Sequence, residues 1–286
     1  MRVDFHQHVW PDEFRQALER RVEAPRLRGR RLLLPQGGGF DVTPDAYSPE
    51  ARLRELDSAG LDAAVVSLAP TTEPTADLAE LWNDSALRLA AASGGRLIPL
   101  AYGVARPGFA GTIVAAPDLL TPSAGPELFD RLEQLGQLLF VHPGPVAAIE
   151  PAWWAAGVSY TAQLQAAYAA WIASEAARRP NLRVVFGLLA GGAAFQIERL
   201  VRRGLDPQLP FPPNVWFETS SYGERALELS FQTFGAGRLL FGSDAPIDPV
   251  TGALAAIQGF GPALEAQLLS ANPSAILASE AVRWAA

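Results

Sequence analysis

The sequence predicts an α/β chain folded as a single (β/α)8 barrel of the TIM type. Three observations predict it. Short apolar, β-branched runs alternate with longer helical stretches along all 286 residues. Eight such runs can be counted, the number that closes a parallel barrel. The chain has only three histidines, and each falls on a strand-like run, two of them at its last position, where barrel enzymes gather their chemistry.

The strand-like runs are 3–8, 62–68, 96–104, 111–115, 138–142, 182–188, 215–219 and 239–243, most of them rich in Val, Ile, Leu and Phe. Such near-continuous apolar character suits parallel strands buried on both faces. Helices are predicted over 49–59, 77–92, 127–135, 160–179, 193–202 and 224–234. Arg178-Arg179-Pro180 closes the longest, with cations in the last turn and proline beyond. An open doubly wound sheet is the alternative, but His6-Gln7-His8 stands where its glycine-rich fingerprint belongs. One domain is expected over residues 1–286. A Gly-, Pro- and Arg-rich segment at 25–49 reads as a long loop, 207–213 as a stiff proline-rich spacer, and 252–286 as a helical tail.

Composition narrows the chemistry. Hydrophobic residues are 49% and charged residues 19% of the chain, enough for a large core and too apolar for wholesale disorder. Net charge is −7, and the one short basic cluster, Arg28, Arg30 and Arg31, reads as a solvated loop or an interface edge. Nucleic acid is not an expected partner, because phosphates demand clustered cations. There is no cysteine, which removes disulfides and thiol catalysis. All 23 basic residues are arginine, which removes Schiff-base chemistry and the P-loop lysine. No signal peptide and no apolar run of membrane-spanning length is found, so the expectation is a cytoplasmic protein acting on a small molecule, with no membrane partner.

His6 and His8 stand two apart on a strand and so face the same way, into the barrel. Two imidazoles on one rigid strand can ligate a divalent ion, although an isolated His-x-His is as readily a pair of satisfied polar residues. His142 ends the run Leu138-Leu139-Phe140-Val141-His142, and Asp244 follows the run Leu239-Leu240-Phe241-Gly242-Ser243. A core strand that ends in a charged group must compensate its burial, and a metal does so. Four donors at corresponding strand ends favour the metal reading over chance.

With these motifs in place, the chain resembles the amidohydrolase superfamily, in the branch of metal-dependent hydrolases and decarboxylases that includes aminocarboxymuconate-semialdehyde decarboxylase. The resemblance runs from Val3-Asp4-Phe5-His6-Gln7-His8 and Leu56-Asp57-Ser58-Ala59-Gly60-Leu61-Asp62 through Asn83, Arg96-Leu97-Ile98-Pro99, Phe140-Val141-His142-Pro143-Gly144 and Arg183-Val184-Val185-Phe186 to Gly242-Ser243-Asp244-Ala245-Pro246. It implies that His6, His8, His142 and Asp244 ligate one divalent metal, usually zinc. The superfamily's binuclear members bridge two metals with a carbamylated lysine, which this chain lacks, so a mononuclear centre is implied. It also implies a histidine at the end of the sixth strand, where Leu188 stands instead. Arg199 matches an arginine that, in the decarboxylase relatives, reaches a substrate carboxylate from a neighbouring subunit, which would make a homodimer. A solvated helix arginine explains it equally well.

Two further residues are candidates for substrate contact. Glu218 ends the seventh run and could replace the missing base, or serve as a salt-bridged support. Trp153, beside Trp154, follows the His142 loop and could line a pocket, or pack at an interface. Metal-activated water attacking an amide, ester or lactone, with Asp244 accepting the proton, is the first expectation, since it needs no sixth-strand histidine. Non-oxidative decarboxylation of a small unsaturated or aromatic acid is the alternative. A metal-binding barrel that has lost catalysis is the third reading, and Leu188 is the feature that favours it.

Overall fold

A computed structural model describes residues 1–120, 125–147, 151 and 153–277. The barrel strands are β1 (Val3–His8), β2 (Ala63–Ser67), β3 (Leu97–Tyr102), β4 (Gly111–Ala115), β5 (Leu138–His142), β6 (Val184–Phe186), β7 (Val215–Glu218) and β8 (Leu239–Leu240). Each pairs in parallel with the next in chain order. The chain just beyond β8 closes the ring: Phe5 N donates to Phe241 O at 2.7 Å, Asp244 N to His6 O at 2.9 Å, and His8 N to Ala245 O at 2.7 Å. The predicted (β/α)8 barrel is present.

Alternation along the strands separates two apolar layers. Val3, Phe5, Val65, Leu138, Phe140 and Val185 fill the barrel, while Val66, Leu139, Val184 and Phe186 face the surrounding helices. On β5 the inward phase Leu138, Phe140 continues to His142, so the third imidazole lies at the top of the same stack. β1 is different. Strict alternation from Val3 and Phe5 would send His6 and His8 outward. Its register against β2 shifts between Asp4 and Gln7, so the strand carries an extra residue there. That irregularity reverses the phase and turns both histidines inward.

The first crossover departs from the expected loop at 25–49. After the helix Asp12–Arg20, the segment forms an antiparallel three-stranded sheet of Arg26–Arg28, Arg31–Leu33 and Gly39–Asp41. Leu27 pairs with Leu32, and both are buried against the outer core. A side chain at Gly39 would meet the Leu32 carbonyl oxygen at 2.1 Å, so only glycine permits the pairing. Strands of three residues rich in arginine carry too little period-2 signal to be read from sequence. The helix Pro49–Ala59 was plainer: Ser48 Oγ accepts from Ala51 N at 3.2 Å, Pro49 opens the first turn, and Gly60 ends it at φ 66°.

Further along, β6 stops at Phe186, shorter than the run 182–188. Leu188, Leu189, Ala190, Gly191 and Gly192 follow with φ of 50°, 48°, 52°, 66° and 77°, a turn of left-handed helix. Three non-glycine residues in that region cost on the order of 1–2 kcal/mol each, so the surrounding packing must hold them. The helix expected over 160–179 ends earlier, at Ser174, and is preceded by a π-helical turn, Ala155–Ser159. Towards the C-terminus helices run over Val250–Gln258, Pro262–Ala266 and Asn272–Leu277, and the last residues of the expected helical tail, 278–286, lie outside the described part.

Candidate metal centre

Four side chains meet at the C-terminal mouth of the barrel. His6, His8, His142 and Asp244 each offer one ligand atom, and these atoms lie within 4.8 Å of one another. The three imidazole centroids are 4.9, 5.2 and 5.2 Å apart, each pair nearly perpendicular. All four residues are at most 9% exposed.

The ring nitrogens show which atom each histidine presents. His6 Nδ1 is 2.8 Å from Glu218 Oε2, His8 Nδ1 is 3.3 Å from the Ser67 carbonyl, and His142 Nδ1 is 2.8 Å from the Pro143 carbonyl. With Nδ1–H donated to these acceptors, every Nε2 is left with its lone pair toward the common centre. His8 Nε2 is 3.0 Å and His6 Nε2 3.6 Å from Asp244 Oδ1. Yet His6 Nε2 and Asp244 Oδ1 are both buried without a hydrogen-bond partner. Buried polar atoms left unpaired are costly, and a divalent ion satisfies both. Three nitrogens and one carboxylate oxygen form a donor set that suits zinc, manganese or iron. The residues therefore fit a mononuclear divalent metal.

Their protonation follows from burial and neighbours. Burial alone would depress His6, but Glu218, Asp244 and Asp4 outweigh it and raise the imidazole to about 9. Burial, with His6 and His8 nearby, holds His142 well below its ordinary value. For Asp244 burial acts upward, but His6, His8 and His142 prevail and bring it down to about 2. In the absence of an ion the carboxylate is thus charged, and protons compete with metal for His6.

Two carboxylates that contact the ligands from behind hold the centre. Glu218 is fully buried; besides His6 it accepts from Ser220 N, from Ser220 Oγ at 2.8 Å and from Leu188 N at 3.3 Å. The sequence offers Glu218 as a substrate contact, a spare base or a salt-bridged support; in the structure its oxygens are engaged with His6, Ser220 and Leu188 N. A Cβ at Gly242 would fall 2.0 Å from Glu218 Oε1, so glycine there makes room for it. Asp4 accepts His6 N at 3.1 Å and Ser243 N at 3.0 Å on Oδ1, and Gln7 Nε2 at 2.8 Å and Ser243 Oγ at 2.6 Å on Oδ2. Burial pushes this carboxyl up to about 6 against those four hydrogen bonds. Sequence reasoning missed Asp4, Ser220 and Ser243. The available signal was a charged residue inside a strand otherwise buried on both faces.

The other expected contacts are not brought to the ligands. Trp153 is 63% exposed, its ring tilted 38° against that of Trp154 with centroids 5.8 Å apart. Arg199 is exposed on the helix Ile197–Arg202. Neither has a hydrogen bond or ring contact with the four ligands. Leu188 does sit beside the centre, its N–H on the carboxylate that holds His6. Asp244 itself takes a left-handed backbone, φ 63°, which aspartate tolerates better than most residues.

Fold and donor set together define a (β/α)8 enzyme with a candidate mononuclear metal centre at the strand ends. The chain belongs to the amidohydrolase family, whose model matches residues 3–278. Among solved structures it is similar to the IDCase of Metarhizium anisopliae, at 21% identity over 97% of each chain with a TM-score of 0.77. It is also similar to 5-carboxyvanillate decarboxylase from Sphingomonas paucimobilis, at 20% identity over 97% of this chain and 98% of that one, TM-score 0.74. A dihydroxybenzoic acid decarboxylase from Polaromonas sp. JS666, solved with bound manganese and the inhibitor 2-nitroresorcinol, matches at 15% identity over 99% of both chains, TM-score 0.67. At such identities the likeness is one of fold. No curated protein sequence matches the chain. No helix among the described residues is long and apolar enough to cross a membrane.

Proposed function

We propose that the protein is a metal-dependent, non-oxidative decarboxylase of a small hydroxylated aromatic or unsaturated carboxylic acid. The observation that carries this reading is the convergence of three anchored imidazoles on Asp244, a carboxylate held ionised, in a barrel whose solved neighbours include two decarboxylases. Decarboxylation thereby moves ahead of hydrolysis, the first expectation from sequence.

His6, His8, His142 and Asp244 would hold the ion, which when bound supplies a Lewis acid to the substrate oxygens. Manganese and zinc both suit the donors. Glu218 fixes the ring of His6, and Asp4 fixes the backbone at His6 and Ser243. Asp244 is the proton relay. As a base it takes the proton of a substrate hydroxyl and returns it to the carbon that bears the carboxylate. The bond to the carboxylate breaks, its electron pair stays on that carbon to receive the proton, and CO2 leaves with a phenolate as product. One relay suffices, so this route needs no histidine where Leu188 stands. Leu188, 7% exposed, instead keeps that wall apolar.

Hydrolysis of an ester, amide or lactone is the second reading, because water activation likewise needs only Asp244 and the same apolar wall at Leu188 accommodates it. The test offers the metal-loaded protein a panel of hydroxybenzoates, lactones and aryl esters, and follows CO2 and acid release separately. CO2 with the matching phenol is expected. Acid release without CO2 moves the reading to hydrolysis, and silence on both panels leaves a metal-binding barrel without catalysis.

A further inference from the structure

The mouth of the barrel around the metal centre is short of cations. Lysine is absent from the chain, and arginine is absent from residues 68–87, 116–130, 143–177, 187–198 and 245–282, the segments that follow β2, β4, β5, β6 and β8. Arginines in the remaining connections are tied elsewhere or point into solvent; Arg52, the buried one near Asp4 and Tyr47, is held by Glu55 at 2.7 Å and by the Ala46 carbonyl at 2.8 Å. Arg21 pairs with Asp77 at 2.8 Å, Arg31 with Asp41 at 3.1 Å, and Arg106 with Glu80 and Asp84 at 3.2 Å each. Arg28 is spent on the carbonyls of Glu19 and Arg21, and Arg199 and Arg225 are exposed.

What lies there instead is acidic and phenolic. Glu73 follows β2, Tyr102 ends β3, Asp118 follows β4 and Tyr160 follows β5, all at the end of the barrel that carries the ligands. Gln36, in the turn between Arg31–Leu33 and Gly39–Asp41, lies beside Glu73, whose Oε1 is buried with no hydrogen-bond partner. Burial, then Asp118 and Glu73, push the Tyr102 phenol up to about 12. Burial, then Asp244 and Glu73, raise Tyr160. Both phenols therefore stay protonated as hydrogen-bond donors, and the charges acting on them are all carboxylates.

We propose that the site takes substrates with one anionic group, engaged at the metal, and an uncharged hydroxylated remainder facing Tyr102 and Tyr160, and that Glu73 and Asp118 discriminate against a second carboxylate. This rests on the decarboxylase reading only for where the first carboxylate sits. A second negative charge would enter a partly buried region with no arginine to receive it and two carboxylates to repel it. An uncharged hydroxyl there finds phenols as donors and the unpartnered Glu73 Oε1 as an acceptor.

The experiment is calorimetric binding to the manganese-loaded protein of two probes that differ by one carboxylate, salicylate and 4-hydroxyisophthalate. Salicylate is expected to bind at least about tenfold more tightly, the factor that one partly screened like charge supplies. In Glu73→Gln and in Asp118→Asn, each measured alone, the ratio should shrink severalfold by tighter binding of the dicarboxylate. Equal or tighter binding of 4-hydroxyisophthalate by the unaltered protein overturns the proposal. So does a ratio unchanged in both variants, or failure of the loaded protein to bind salicylate. No turnover is read, so a protein that binds with this selectivity but releases no CO2 refutes the reaction and leaves the charge selectivity standing.

Discussion

Asp4 and Ser243 are joined twice, Oδ1 accepting the serine N–H at 3.0 Å and Oδ2 the hydroxyl at 2.6 Å, across the seam where the barrel closes. Because Oδ1 also accepts His6 N at 3.1 Å, one carboxylate sets the relative position of a ligand on β1 and of Asp244, next to Ser243. Replacing Asp4 by alanine removes the acceptor of four buried donors, at about 1–3 kcal/mol for each that stays unpaired. Asp4→Ala should therefore lower Tm by several degrees and weaken metal binding as well, measured by chelator competition. Ser243→Ala removes the hydroxyl's bond to Asp4 Oδ2 and its acceptance of Ala245 N at 3.1 Å but keeps the backbone bond to Asp4, and should show a smaller loss of both. Asp4→Ala with unchanged metal affinity would mean that the seam does not position the ligands.

Glu218 acts on the metal only through His6. Glu218→Gln keeps its shape and removes its charge, so the fold should persist while metal affinity drops about 10- to 100-fold. Equilibrium dialysis at fixed pH reads this directly, and circular dichroism checks the fold. An affinity within twofold of the unaltered protein would make Glu218 a packing residue.

Gly242 tests the same contact from the other side. Gly242→Ala places a methyl 2.0 Å from Glu218 Oε1, so the carboxylate must move away from His6. The expected result is a fall in metal affinity comparable to Glu218→Gln, together with a loss of stability of about 1–3 kcal/mol from overpacking, read by urea denaturation. Wild-type behaviour on both counts would contradict the geometry.

These positions mark what sequence could and could not give. His142 and Asp244 were legible because each ends an apolar run, and the barrel count followed from runs long enough to show β character. His6 and His8 were placed inward by simple alternation. In fact Val3 and Phe5 share that face only because β1 shifts register between Asp4 and Gln7, which no local pattern announces. The role of Glu218 depends on its reaching His6 across 212 positions, and tertiary contacts of that kind leave no trace in one sequence. The sheet at 26–41 escaped because its strands are three residues long and are held by burial of Leu27 and Leu32 rather than by propensity.

Leu188 decides how much the absent histidine matters. Its φ of 50° is open to histidine, so Leu188→His should fold, and with Asp244 as the relay it should change the decarboxylation rate by less than about tenfold. Initial rates with metal occupancy matched between the two proteins give the answer. A gain of about a hundredfold or more would mean that the unaltered site lacks its proton-transfer group.

The central claim is that His6, His8, His142 and Asp244 share one divalent ion. Elemental analysis of protein reconstituted with manganese or zinc and then dialysed tests it most directly, run beside His142→Ala and Asp244→Ala. The account predicts about one ion per chain in the unaltered protein and little retained metal in either variant. Equal metal in all three proteins, or none in the unaltered one, would contradict it.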